Sequence, residues 1–147
     1  MERTERHLGL SQDAAIVLAL ADTAVPFAHS PEDEAERWVR VLRLHGWVGA
    51  ALQALGVGEA PLETTAQPIR LLRRRPPEEN VVEEVTRQAR SFALARGADA
   101  VCTVDVLFAL FAVYGKTFDR ALYVRGTSRE ELIERLPADV DAGVANR

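Results

Sequence analysis

From Val82 to Gly126 apolar residues return at helical intervals and stop at glycines. Val82, Val85, Ala89, Phe92 and Ala93 recur at spacings that place them on one face of a helix, and Gly97 is positioned to end it. Thr103 is placed to cap a second helix whose apolar face is Val106, Leu107, Leu110 and Phe111, widened by Phe108 and Val113 until most of the helix is buried. Gly115 closes that helix. A short third helix is predicted from Thr117, with Phe118, Ala121 and Leu122 inward and Gly126 as the left-handed residue after it.

The first half reads in the same way. Ser11 caps a helix through Ile16, Val17, Leu18, Leu20 and Ala21, which Pro26 ends. Ser30, Pro31 and Asp33 occupy cap, first and third positions, a capping box with Asp for the usual Glu. Trp38, Val41, Leu42 and His45 then share a face. Gly46 interrupts, and Trp47, Val48, Ala51, Leu52 and Leu55 form a short helix ended by Gly56. Four prolines, Pro61, Pro68, Pro76 and Pro77, keep the intervening stretch from being one helix, so 58–81 reads as a linker with a short helical piece around Leu62 to Leu72. Ser128 with Glu131 is a capping box for a last helix through Leu132 and Leu136. Residues 1–10 read as a flexible terminus and 137–147 as a loose acidic tail.

The halves also match each other. Gly56 and Gly126 lie 70 residues apart, and that offset lays Leu52 on Leu122, Ala51 on Ala121, Ala19 on Ala89 and Trp38 on Phe108, the signature of an internal duplication. Three motifs then carry a resemblance: Ala95-Arg96-Gly97, Cys102-Thr103-Val104-Asp105-Val106-Leu107-Phe108-Ala109-Leu110, and Asp119-Arg120-Ala121-Leu122 to Gly126. Together with Gly46-Trp47-Val48-Gly49-Ala50-Ala51-Leu52-Gln53-Ala54-Leu55-Gly56-Val57-Gly58, they resemble the amino-terminal repeat domain of Clp-type AAA+ unfoldases. The resemblance covers residues 11–136 and implies an all-α domain of two pseudo-twofold repeats of about four helices each. Repeat one would span 11–72 and repeat two 82–136.

Composition leaves this reading standing and narrows the function. A chain of 147 residues, 48% hydrophobic and 27% charged, can bury about 68–70% of its unfolded surface, and its Ala, Leu, Arg and Glu favour helix. A net charge of −4 argues against a nucleic-acid binder. The single cysteine, Cys102, excludes an internal disulfide. Neither a secretory leader nor a membrane-length apolar run is present, so a cytoplasmic protein is expected.

Candidate chemistry is sparse. Gly115-Lys116-Thr117 ends like a phosphate-binding loop but lacks its first glycine and follows a helix instead of a strand. His7, His29 and His45 lack metal-ligand spacing, and Cys102 has no neighbouring histidine to activate it. The clusters Glu32, Asp33, Glu34, Glu36 and Glu78, Glu79, Glu83, Glu84 fall in first helical turns, where the helix dipole favours them. Arg70, Arg73, Arg74 and Arg75 form the one basic cluster, whose guanidinium forks suit carboxylates or phosphates.

No catalysis, cofactor or metal is therefore expected. The resemblance implies a protein- or peptide-recognition module, an adaptor or accessory whose partner is a Clp ATPase or its substrates. Competing classes are a protein that sequesters Clp-directed peptides as an immunity factor and a small nucleic-acid-binding regulator using the arginine cluster. In some relatives a glutamate of each repeat receives phosphorylated arginine. The matching position in repeat two is Val104, which cannot bond a guanidinium, and in repeat one it is Ala35 or Glu36. Glu36, Trp47, Arg70, Arg73, Arg74 and Arg75 are the candidate contact residues, Trp47 because tryptophan and arginine are enriched at binding hot spots.

Overall fold

Several helices start where a side chain satisfies the free N–H groups of the first turn. The computed structural model describes residues 8–57 and 80–136. Ser11 Oγ accepts from the Ala14 N–H at 3.1 Å and opens α1, Gln12–Ala24. A 3-10 turn, Val25–Phe27, follows, with Pro26 inside it as the residue that cannot donate back into α1. Ser30 opens α2, Pro31–Leu42, by accepting from the Asp33 N–H at 3.0 Å. The Asp33 carboxylate reaches back to the N–H of His29 and not to that of Ser30, so the expected capping box is displaced by one residue. Asn80 Oδ1 accepts from Val82 and Glu83 and opens α4, Val81–Ala95.

The remaining elements are α3, Gly46–Ala54, α5, Thr103–Tyr114, α6, Lys116–Val124, and α7, Arg129–Glu134. The described residues are thus helical, and their only β-type contact is an isolated parallel bridge between Leu10 and Val101. The expected all-α class holds. The helical piece expected at Leu62 to Leu72, residues 1–7 and the tail 137–147 lie outside the described residues, whereas Gly9 and Leu10, expected in the flexible N-terminus, are tied to Val101, Gly9 O accepting from the Val101 N–H at 2.9 Å.

Two helix starts differ from expectation. Cys102, and not Thr103, is the N-cap of α5, because the Asp105 carboxylate takes the Cys102 N–H at 2.9 Å and Thr103 is drawn into the buried first turn. Gly115, and not Thr117, precedes α6; its positive φ of 56° turns the chain directly from one helix to the next. Ser128 caps α7 as expected, its Oγ accepting from Glu131, but the Glu131 side chain bonds the Thr127 hydroxyl and not the cap backbone.

Three helices end alike. After α3, Gly56 N–H bonds Gln53 O and Val57 N–H bonds Leu52 O; after α6, Gly126 bonds Tyr123 and Thr127 bonds Leu122; after α4, Gly97 bonds Leu94 and Ala98 bonds Ala93. Each is a Schellman ending, which turns on a glycine at positive φ.

Burial follows the apolar periodicity, and α5 is the hub. It packs along α4 and also against α1, α2, α3 and α6, while α2 lies on α6 and α7 on α3. Leu107 and Leu110 are fully buried in it. Phe92 departs from expectation. It sits at the margin of the α4 stripe and is partly exposed, its ring against Phe108 at 6.0 Å, because the width of α5 covers only Val82, Val85, Ala89 and Ala93. From there a chain of rings runs inward, Phe108 to Phe111 at 5.9 Å and Phe111 to Phe118 at 5.6 Å, with Arg129 over Phe111 at 4.4 Å.

Gly46 marks a three-way junction. Its φ is +71°, and a Cβ there would meet Thr103 Oγ1 at 2.6 Å and Asp13 Cβ at 3.3 Å, so α3 starts wedged between α1 and α5.

Two substitutions test this packing. Leu110→Ala or Leu107→Ala should lower unfolding free energy by about 2–5 kcal/mol in urea titration, and a loss below about 1 kcal/mol at both would remove α5 from the centre of the fold. Gly46→Ala should cost more than about 1 kcal/mol, since it combines a positive φ with a contact that Thr103 cannot vacate.

Candidate protein-interaction surface

The charged groups of the interior are committed to one another. Asp105 is fully buried, at the first turn of α5, and its two oxygens accept from Arg96 Nε at 2.8 Å and Arg96 Nη2 at 2.7 Å. Arg96 is the C-cap of α4, so this bidentate pair joins the end of α4 to the start of α5. Its bond to Asp105 raises the Arg96 pKa above the ordinary value, against the opposing effect of burial, and keeps the guanidinium protonated.

A second assembly crosses the core between α2 and α5. The Trp38 indole N–H donates to Tyr114 Oη at 3.1 Å, and the Tyr114 hydroxyl donates to the buried Glu34 carboxylate at 2.7 Å. Nothing local in the sequence singles out this trio. The usable signal is that a tryptophan in a core stripe needs an acceptor for its N–H.

The sequence-derived contact residues separate under these constraints. Glu36 accepts a hydrogen bond from Arg125 Nη2, and Arg125 is almost wholly covered while Glu36 keeps a third of its side chain exposed. Between the two candidates in repeat one, Ala35 is fully buried, so Glu36 is the residue a ligand can reach. An incoming guanidinium would have to displace Arg125. Val104 is buried and presents no anion.

Trp47 lies on the surface. It is 45% exposed, whereas Trp38 is 0% exposed, so Trp47 does not fill the core beside Trp38. At Gly46 α3 begins close against α1 and α5, Val48 and Gly49 of its first turn are buried, and Trp47 and Leu44 are exposed. Arg70, Arg73, Arg74 and Arg75 lie outside the described residues.

Other motifs take structural places. Gly115-Lys116-Thr117 is the joint between α5 and α6, with Lys116 exposed. His45 precedes α3 as its N-cap, and His29 gives its backbone N–H to Asp33. Among the described residues no three His, Cys, Asp or Glu side chains cluster as a metal site would require. Within the same residues no helix is long and apolar enough to cross a membrane. No protein-family model matches the chain, and no curated protein compared with it is significantly similar in sequence.

Trp47→Ala should change stability by less than about 1 kcal/mol, while Trp38→Ala should cost about 3–5 kcal/mol, measured side by side by thermal or urea unfolding. Asp105→Asn, which leaves a part-buried guanidinium without its anion, should cost about 3–5 kcal/mol by the same assay.

Proposed function

We propose that this chain is a protein- or peptide-recognition module built as a double repeat of the Clp amino-terminal type, acting as an adaptor or accessory to a Clp-type protease or unfoldase. The observation that carries the recognition reading is Trp47: a tryptophan nearly half exposed is a large anchor with no role in the core. The buried charged groups Asp105, Arg96 and Glu34 serve a helix cap and pairs between helices, which favours binding over catalysis.

The helix pairings support the duplication. If α1, α2 and α3 correspond to α4, α5 and α6, a pseudo-twofold axis demands that α2 on α6 be mirrored by α3 on α5, and both pairs are in contact. The matching Schellman endings of α3 and α6 fit the same correspondence. Its register needs correction in two places. The N-caps Ser30 and Cys102 align α2 with α5 so that Trp38 meets Leu110, both fully buried, and not the half-buried Phe108. The shift arises because residues 43–45 separate α2 from α3, whereas Gly115 alone separates α5 from α6. Ala19 is exposed and cannot answer the buried Ala89; Ala21 has the matching burial.

Affinity capture with the full chain, followed by mass spectrometry, tests the assignment. Wild type should recover a Clp-type ATPase or its peptide clients, and Trp47→Ala should reduce that recovery at least tenfold at unchanged thermal stability. Equal recovery by Trp47→Ala and by the Arg73, Arg74, Arg75 triple alanine variant would remove both contact candidates. Binding to nucleic acid that weakens steeply with salt would replace the reading with the competing one.

A further inference from the structure

Helix α1 is apolar on both sides, and only one of them is covered. At 3.6 residues per turn, Ala14, Val17, Leu18 and Ala21 form its core face, and Ala15, Ile16, Ala19 and Leu20 form the face opposite. Ala15 and Ala19 are exposed, Ile16 is half-buried and Leu20 is 40% exposed. A helix hydrophobic all round is normally enclosed on every side, and this one has an outer apolar strip from Ala15 to Leu20, about 9 Å long, facing water, with Gln12 and Thr23 on the same face at its two ends.

The strip has a charge pattern. Asp13 and Asp22 border it at opposite ends and on opposite edges, both exposed. Neither has an ion-pair or hydrogen-bond partner for its carboxylate among the described residues. Asp13 in the first turn gains from the helix dipole, but Asp22 in the last turn is opposed by it, so dipole stabilisation does not account for the pair. At the C-terminal end Arg37 donates to Ala24 O at 3.2 Å, and its charge is already paired with Asp33. The N-terminal end adjoins the start of α3, because the Cβ of Asp13 lies 3.3 Å from the position a Cβ on Gly46 would take.

We propose that the outer face of α1 docks an amphipathic helix of a partner protein that carries lysine or arginine along the edges of its apolar face. This deepens the recognition reading and rests on it. The small side chains Ala15 and Ala19 let a partner backbone approach, Leu20 and Ile16 supply apolar contact, and the two unpaired carboxylates select a cationic rim.

The test uses the full chain and three synthetic 14-residue peptides: an amphipathic leucine/lysine helix, a leucine/glutamate helix with the same apolar face, and a scrambled leucine/lysine sequence without amphipathic order. By calorimetry the first should bind at least tenfold more tightly than either other. Leu20→Arg should weaken it at least tenfold, and Ala19→Lys, a milder exposed change, should do the same if Leu20→Arg unfolds the chain. The Asp13→Asn, Asp22→Asn double variant should weaken binding several-fold and flatten its salt dependence. Equal binding of the scrambled or leucine/glutamate peptide overturns the proposal, as does unchanged affinity in the α1 variants or a dimer in sedimentation that Leu20→Arg dissociates. The capture assay separates the two readings. Recovery that depends on Trp47 but not on Leu20 or Ala19 overturns the α1 surface and leaves the recognition module standing, whereas selective, α1-dependent peptide binding without Trp47-dependent capture upholds the surface and removes the Clp-linked assignment.

Discussion

A carboxylate sealed from solvent, Asp105, holds the frame on which the other helices lie. It caps the start of α5 through the Cys102 N–H and grips Arg96 at the end of α4 with both oxygens, so the loop between the two helices is fixed at both ends by one side chain. A buried ion pair adds little net stability over a well-packed apolar substitute, but once present each partner is costly to lose. The same loop supplies Val101, whose backbone bonds Gly9 and Ser11 and draws the start of α1 onto α5. Thr103, one residue past the cap, is the wall against which Gly46 and α3 are set.

Against that frame Trp47 stands on the outside. The chain after α2 has three residues before α3, and Gly46 at positive φ sets the start of α3 close against Thr103, with Trp47 exposed. The corresponding joint between α5 and α6 is a single glycine, and no tryptophan stands beyond it. If the halves descend from one unit, the difference in joint length is what makes them unequal.

The surface is also asymmetric in charge. Glu36 faces α6 and already holds Arg125, whereas Asp13 and Asp22 on α1 hold no cation among the described residues. An ion pair within the chain closes one acidic site, and two unpaired carboxylates beside an uncovered apolar strip leave another open. This division could not be anticipated from counts of charge along the sequence: Glu36 stands in the acidic run from Glu32 and meets an arginine 89 residues away, whereas Asp13 and Asp22 are isolated carboxylates within an apolar helix.

The sequence by itself determined the helices, most of their ends and most of the core stripe, because those features rest on contacts within a few residues. Ser11, Ser30 and Ser128 cap the turns that follow them, Gly56, Gly97 and Gly126 take the left-handed positions, and Leu107 and Leu110 fall on a face that periodicity alone identifies. Where a neighbour from another helix competes, local reading failed: Asp105 outbids Thr103 for the cap, and the limited width of α5 leaves Phe92 at the rim. Only the tertiary structure decided which tryptophan is buried, which carboxylate meets which arginine, and which side of α1 stays uncovered. Trp38 finds its acceptor on Tyr114, 76 residues away, and Glu36 finds Arg125, 89 residues away. Pairings at that separation are fixed by how the helices stack, a property of the whole packed core that no short stretch of sequence carries.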